Sequence, residues 1–225
     1  QIILCLVTPD ETPLAAREAA KAIAPGALYC DMTSVSPDTT REAAALIERA
    51  GGRYVDVGVM SPVGKFLNKV PMKGSGPHAA AAREALGAYG FELEVVEGDI
   101  GQASAIKMVR SVIVKGLEAL TTEWLLAAEA VGVTDDVVVS LKGKWPGIDW
   151  AEKGDYNLGR MMLHGKRRAA EMDEAVRTLE ALGVSARMSA ATRDWHRSVG
   201  EMALPTPEGL REKLRLVRAG GVSTA

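Results

Sequence analysis

Apolar and polar positions along the first hundred residues fall into short uninterrupted apolar runs separated by longer stretches of helical period. Residues 2–7, IILCLV, form an apolar run of strand length, and TPDET after it carries the Thr, Pro and Asp of a loop and a helix start. PLAAREAAKAIAP then repeats at helical spacing and is closed by Pro25 and Gly26. The same alternation recurs. ALYCDMTSVSP predicts a strand running into a polar loop, PDTTREAAALIERAGG a helix opened by Pro37, RYVDVGVM a strand, HAAAAREALGAYG a helix and ELEVVEG a strand. Strands alternating with helices of this length predict a parallel α/β sheet. GSGP at 74–77 lacks phosphate-loop spacing and reads as a turn.

Beyond Gly101 the period changes. ASAIKMVRSVIVKGLEALTTEWLLAAEAVG predicts one long helix, GRMMLHGKRRAAEMDEAVRTLEALG and TPEGLREKLRLVRAGG predict two more, and no strand run follows. The expected organisation is therefore an α/β part over 1–101 and an all-helical part over 102–225. The chain opens without Met inside a strand pattern, so it reads as a fragment that has lost earlier strands.

Composition narrows the classes. An apolar fraction of 47% suffices for a real core, and 27 Lys and Arg against 29 Asp and Glu give a net charge of −2, which argues against nucleic acid. Cys5 and Cys30 sit in apolar runs and read as buried thiols. With no apolar stretch long enough to span a membrane and no leader peptide, the expectation is a soluble cytoplasmic protein. His78, His164 and His196 have no metal-ligand spacing, so no metal is expected. Met161, Met162 and Met172 read as core fillers, and Trp145, Trp150 and Trp195 as packing anchors. HGKRR at 164–168 reads first as a solvated basic face, and second as a phosphate contact.

Candidate chemistry begins with a lysine at an odd place. Lys107 lies among Ala, Ile, Met and Val near the start of the long helix, and Lys107, Arg110 and Ser111 share one face at i, i+3 and i+4. Arg grips a carboxylate through two parallel bonds while Lys exchanges a proton with a hydroxyl, so the face matches a small hydroxy acid. An ordinary lysine pKa of about 10.4 is too high for a base at neutral pH; burial, the Arg110 cation and the helix N-terminus all act to lower it. The loops TPDE from Thr8, TSVSP from Thr33 and SPVG from Ser61 stand at strand ends, where open α/β sheets bind ligands.

Three segments resemble the β-hydroxyacid dehydrogenases, the family of 3-hydroxyisobutyrate and 6-phosphogluconate dehydrogenases. DMTSVSPDTT is similar to its Asp-x-Ser-Thr-x-x-Pro segment, with Thr33 and Ser34 at the hydroxyl pair; YVDVGVMSPV is similar to its substrate loop; GQASAIKMV is similar to the segment that carries its catalytic lysine, which falls on Lys107. The resemblance implies a Rossmann-like α/β sheet, incomplete at the N-terminus, followed by a helical domain of the 6-phosphogluconate dehydrogenase C-terminal type that forms a homodimer. It further implies NAD or NADP as cofactor, with the Gly-rich fingerprint absent from this chain, and a small hydroxy acid as substrate. Lys107 is then the general acid and base, Ser61, Arg110 and Ser111 hold substrate, and Thr8, Pro9, Thr33 and Ser34 flank the nicotinamide.

The branch is divergent: Arg110 stands where the family has Asn, and Ser61, Pro62 and Val63 replace Ser-Gly-Gly with a one-residue shift, so that Ser61 or Met60 is the equivalent of the family's serine. The lysine favours a hydroxy acid over an imine. The rival expectation is a non-catalytic helical dimerisation or binding module with a remnant α/β layer. Oxidative decarboxylation of a sugar acid, with Lys166, Arg167 and Arg168 on a phosphate, is a further option.

Overall fold

In the computed structural model, which describes residues 1–221, the alternating half of the chain folds as β1 (Ile2–Cys5), α1 (Thr12–Ala20), β2 (Leu28–Asp31), α2 (Pro37–Arg49), β3 (Arg53–Val59), α3 (Val63–Phe66), β4 (Met72–Ser75), α4 (Ala79–Gly87) and β5 (Leu93–Val95). The strands lie side by side in chain order in one five-stranded sheet. β1, β2 and β3 are parallel, in a register that sets Cys5 beside Asp31 and Asp31 beside Asp56. β4 runs antiparallel to β3, pairing Asp56 with Ser75, and β5 is parallel to β4.

The antiparallel β4 departs from the turn expected at GSGP: Gly74 and Ser75 belong to the strand, and the turn begins at Gly76, whose φ is +95°. Its sequence, MKGS, has too few apolar side chains to register as a strand. It is held instead by its neighbours, because the side chain of Leu93 fills the space where Gly74 has no Cβ.

Alternation along the strands buries both faces of the sheet, as a strand layer covered by helices on two sides requires. Leu28, Cys30, Val55 and Val57 join Met72, Leu86 and Leu93 on one face, while Cys5, Tyr29 and Tyr54 meet Ala16, Ala43 and Ile47 on the other. Ser36 caps α2, its Oγ accepting from the Thr39 backbone N–H at 3.2 Å, and Pro37 occupies the first turn.

From Gly101 onward the described residues form helices: α5 (Gln102–Val131), α6 (Thr134–Lys144), α7 (Trp150–Ala181), α8 (Arg187–Glu201) and α9 (Leu210–Ala219). The chain divides into two compact units, Gln1–Ser111 with Glu174–Ser185, and Val112–Asp173 with the residues from Ala186 onward. The start of α5 and the end of α7 thus group with the sheet. In the first unit, the Ser36 N–H and the Thr39 hydroxyl donate to the Glu174 carboxylate at 2.7 and 2.9 Å. The second unit has its own core of Leu125, Leu158, Met161, Met162, Val199, Leu214 and Val217. There α7 and α8 touch through backbone, since a Cβ on Gly200 would lie 2.5 Å from the Lys166 nitrogen. Among the described residues, no helix is long and apolar enough to cross a membrane.

Candidate active site

Because β1, β2 and β3 are parallel neighbours, the loops that follow them leave the same edge of the sheet. Thr8 and the buried Pro9 follow β1, Thr33 and Ser34 follow β2, and the half-buried Ser61 follows β3. The Thr33 backbone N–H donates to Asp31 Oδ1 at 3.0 Å, turning the chain sharply out of the strand. The other oxygen of Asp31 accepts from the Tyr54 hydroxyl at 2.6 Å. Thr33 is buried, and its hydroxyl oxygen finds no partner among the described residues. A buried polar atom left in that state carries a cost unless a ligand completes it.

Lys107 comes to this place from α5. Its Nζ donates to the Thr33 carbonyl oxygen at 3.1 Å, with the lysine half-buried. The start of α5 is fixed by Asp56, a residue the strand pattern hides. Asp56 is buried in β3, and its carboxylate accepts from the Gly101 N–H at 3.1 Å, the Ser104 N–H at 3.0 Å, the Ser104 hydroxyl at 2.7 Å and the Ser75 hydroxyl at 2.9 Å. A carboxylate there satisfies helix-end N–H groups that have no partner within the helix and meets the positive end of the helix dipole. The Ser104 hydroxyl proton is spent on Asp56, so Thr40 is the donor in its 3.0 Å bond to Ser104. Ser75 Oγ in turn accepts from the Ala103 N–H.

Two glycines make room for this joint. Gly101 has φ +103°, and a Cβ on Gly58 would lie 3.1 Å from the Ala103 carbonyl oxygen, so β3 and α5 approach more closely than a side chain allows.

The remaining sequence candidates take less defined positions. Arg110 is exposed and the Ser61 hydroxyl is half-exposed; neither has a hydrogen bond or ion pair to a described residue. Ser111 is buried, its hydroxyl donating to the Lys107 carbonyl one turn back at 2.9 Å. Burial pushes the Cys30 thiol up to about 11 and raises that of Cys5, so both are unreactive free thiols, as expected. An open cleft of about 570 Å³ lined by Pro37, Arg41, Ile100, Gln102 and Leu182 includes neither Lys107 nor Thr33. Among the described residues, no group of side chains is suited to a metal ion.

In the second unit, HGKRR is not simply a solvated face. Arg168 is buried and pairs with Glu118 through both Nε and Nη2; Lys115, also buried, pairs with Glu171 at 3.1 Å; and Arg167 reaches Glu171 at 2.7 Å. His196 lies fully buried beside them, its Nε2 3.4 Å from the Lys115 carbonyl and 3.6 Å from Glu118. Burial, then the Arg168 and Lys115 charges, push its pKa down to about 3.

Residues 1–83 match the model of the NAD binding domain of 6-phosphogluconate dehydrogenase, and residues 128–199 match a domain of unknown function, DUF1932. A conserved hypothetical protein from Sinorhizobium meliloti 1021 is 37% identical, with a TM-score of 0.78 over 97% of this chain and 75% of that one. The conserved protein MTH1747, whose structure shows similarity with 3-hydroxyacid dehydrogenases, is 29% identical with a TM-score of 0.63, over 96% of this chain and 73% of that one. The 3-hydroxyisobutyrate dehydrogenase of Mycobacterium tuberculosis, solved with L-serine, shares the fold at 15% identity and a TM-score of 0.70, over 97% of this chain and 78% of that one.

Proposed function

The chain belongs to the β-hydroxyacid dehydrogenase superfamily, and we propose that it moves a hydride between a nicotinamide cofactor and the hydroxyl-bearing carbon of a small hydroxy acid, with Lys107 as general acid and base. The observation that carries this reading is the 3.1 Å bond from Lys107 Nζ to the Thr33 carbonyl, which sets the amine at the carboxyl end of β2. The unpartnered, buried Thr33 hydroxyl at the same place fits a bound polar ligand, and Thr8, Pro9 and Ser34 complete the rim on which the nicotinamide end would rest. A relative of the same fold has been solved with NADP+, so NADP is one of the two cofactors to test.

When bound, the nicotinamide supplies the hydride acceptor for oxidation and the hydride donor for reduction. Lys107 Nζ takes the hydroxyl proton as the carbon–oxygen bond becomes a carbonyl, and returns it in the reverse direction. The Thr33 carbonyl orients the amine by accepting a hydrogen bond from one of its N–H groups. The exposed Arg110 guanidinium, one turn along the same helix, offers a fork for the substrate carboxylate, and Ser61 a second anchor. Ser111 braces the helix backbone at the lysine itself. In this reading residues 1–101 hold the cofactor, and the helical part from 102 onward supplies the substrate groups and the contact of a homodimer.

The test is a fluorescence titration of NADH and NADPH against the full-length protein. Saturable binding of one of them is expected. Binding of neither would overturn the reading in favour of a helical partner-binding module.

A further inference from the structure

Arg160, His164 and Arg167 stand at i, i+4 and i+7 on α7 and so share a face of that helix. Arg160 and His164 are each half-buried, and neither has a hydrogen bond or an ion pair with a described residue. Arg168 lies near both, and Lys115 of the same unit joins the cluster through Glu171. The two carboxylates of this cluster are already engaged: Glu118 by Arg168, and Glu171 by both Lys115 and Arg167. The cluster thus holds four basic side chains, Arg160, Arg167, Arg168 and Lys115, with two carboxylates, Glu118 and Glu171.

A half-buried guanidinium with five N–H donors, none of them hydrogen-bonded or ion-paired to a described residue, is costly to keep in a folded helix. Burial and then Arg168 lower the proton affinity of Arg160, with Tyr156 and Glu118 opposing; burial and then Arg160, Arg167 and Arg168 lower that of His164, with Glu171 opposing.

We propose that this face of α7 is a binding site for a doubly charged oxyanion, a phosphoryl group held by Arg160, His164 and Arg167. A doubly charged group answers the excess of basic side chains over carboxylates more fully than a single carboxylate does. The three terminal oxygens of a phosphoryl group can each meet a donor: the forks of Arg160 and Arg167, and the imidazole of His164 between them. Arg168 and Lys115 stay with their carboxylates and supply potential without direct contact. The site is independent of the dehydrogenase reading, because its residues lie in the second unit and none of them is assigned to hydride transfer.

The experiment is isothermal titration of the full-length protein with inorganic phosphate at fixed ionic strength, repeated with 3-phosphoglycerate and glycerate, while the His164 ring is followed by NMR. Phosphate is expected to bind and to raise the His164 pKa, since an adjacent anion favours imidazolium. Arg160→Gln and His164→Gln should each weaken phosphate by about tenfold, as loss of one charge-assisted contact implies. Arg160→Gln should also keep or raise the melting temperature in phosphate-free buffer. Arg215→Gln, on α9, should leave phosphate binding as it is.

Tighter binding of 3-phosphoglycerate than of phosphate or glycerate would place the phosphoryl group on the substrate; equal binding of 3-phosphoglycerate and phosphate would make the site one for a free anion. Absence of phosphate binding, or undiminished binding by both Arg160→Gln and His164→Gln, would overturn the proposal. NADH and NADPH titrations report separately on the catalytic reading, so failure of one leaves the other standing.

Discussion

Thr33 carries the tension expected of a binding residue: its carbonyl holds Lys107, while its buried hydroxyl is left without a partner among the described residues. Thr33→Val removes only the unpartnered atom, so stability should rise by about 1 kcal/mol, or about 2–4 °C in melting temperature for a chain of this size. Cofactor or substrate affinity should fall by up to about tenfold, read by the same fluorescence titration. Unchanged affinity would separate this hydroxyl from the site. His196 makes an opposite kind of statement. Its folded pKa of about 3 lies below the unfolded value of about 6.5, so the unfolded chain binds more protons between the two. Stability is therefore fully present above pH 6.5 and is lost as pH falls, at up to about 1.4 kcal/mol per pH unit. Urea denaturation at pH 7 and pH 5 should show this loss, and His196→Gln should flatten it.

Asp56 links β3 to α5 and so determines where Lys107 stands. Removing its carboxylate in Asp56→Ala leaves two buried hydroxyls and two helix-end N–H groups without their acceptor, a loss of several kcal/mol on the scale of about 1–3 kcal/mol per unsatisfied buried group. Asp56→Asn keeps one oxygen and should unfold less readily, while kcat falls more than cofactor affinity because the lysine is no longer held in register. Denaturation midpoints and a split of kcat against KM check both. This joint also marks the limit of what the sequence shows. The strands β1, β2, β3 and β5 and the long helix α5 are legible because their periodicity is local. Lys107 is legible because it interrupts an apolar helix start. Asp56 is not, since its partners Gly101 and Ser104 lie 45 and 48 residues away and a lone acid in a strand looks like an outward position. Arg168 escapes for the same reason: Glu118, which buries it, is 50 residues distant. β4 escapes because MKGS is made a strand by its neighbours rather than by its own side chains.

The family, the parallel-dominated sheet and the helical second half support one account of the whole chain: a nicotinamide-binding layer delivers hydride chemistry to a hydroxy acid beside a lysine held by Thr33. In this account Arg110, which stands in place of the family's Asn, offers the substrate carboxylate a guanidinium fork. The most direct measurement is steady-state turnover of the full-length protein and its Lys107→Ala variant, with NAD+ and NADP+ against a panel of small hydroxy acids, alongside cofactor affinity for each. The account predicts that Lys107→Ala lowers kcat by at least about 10²-fold while cofactor affinity stays within about twofold. A variant that turns over at the wild-type rate would contradict it.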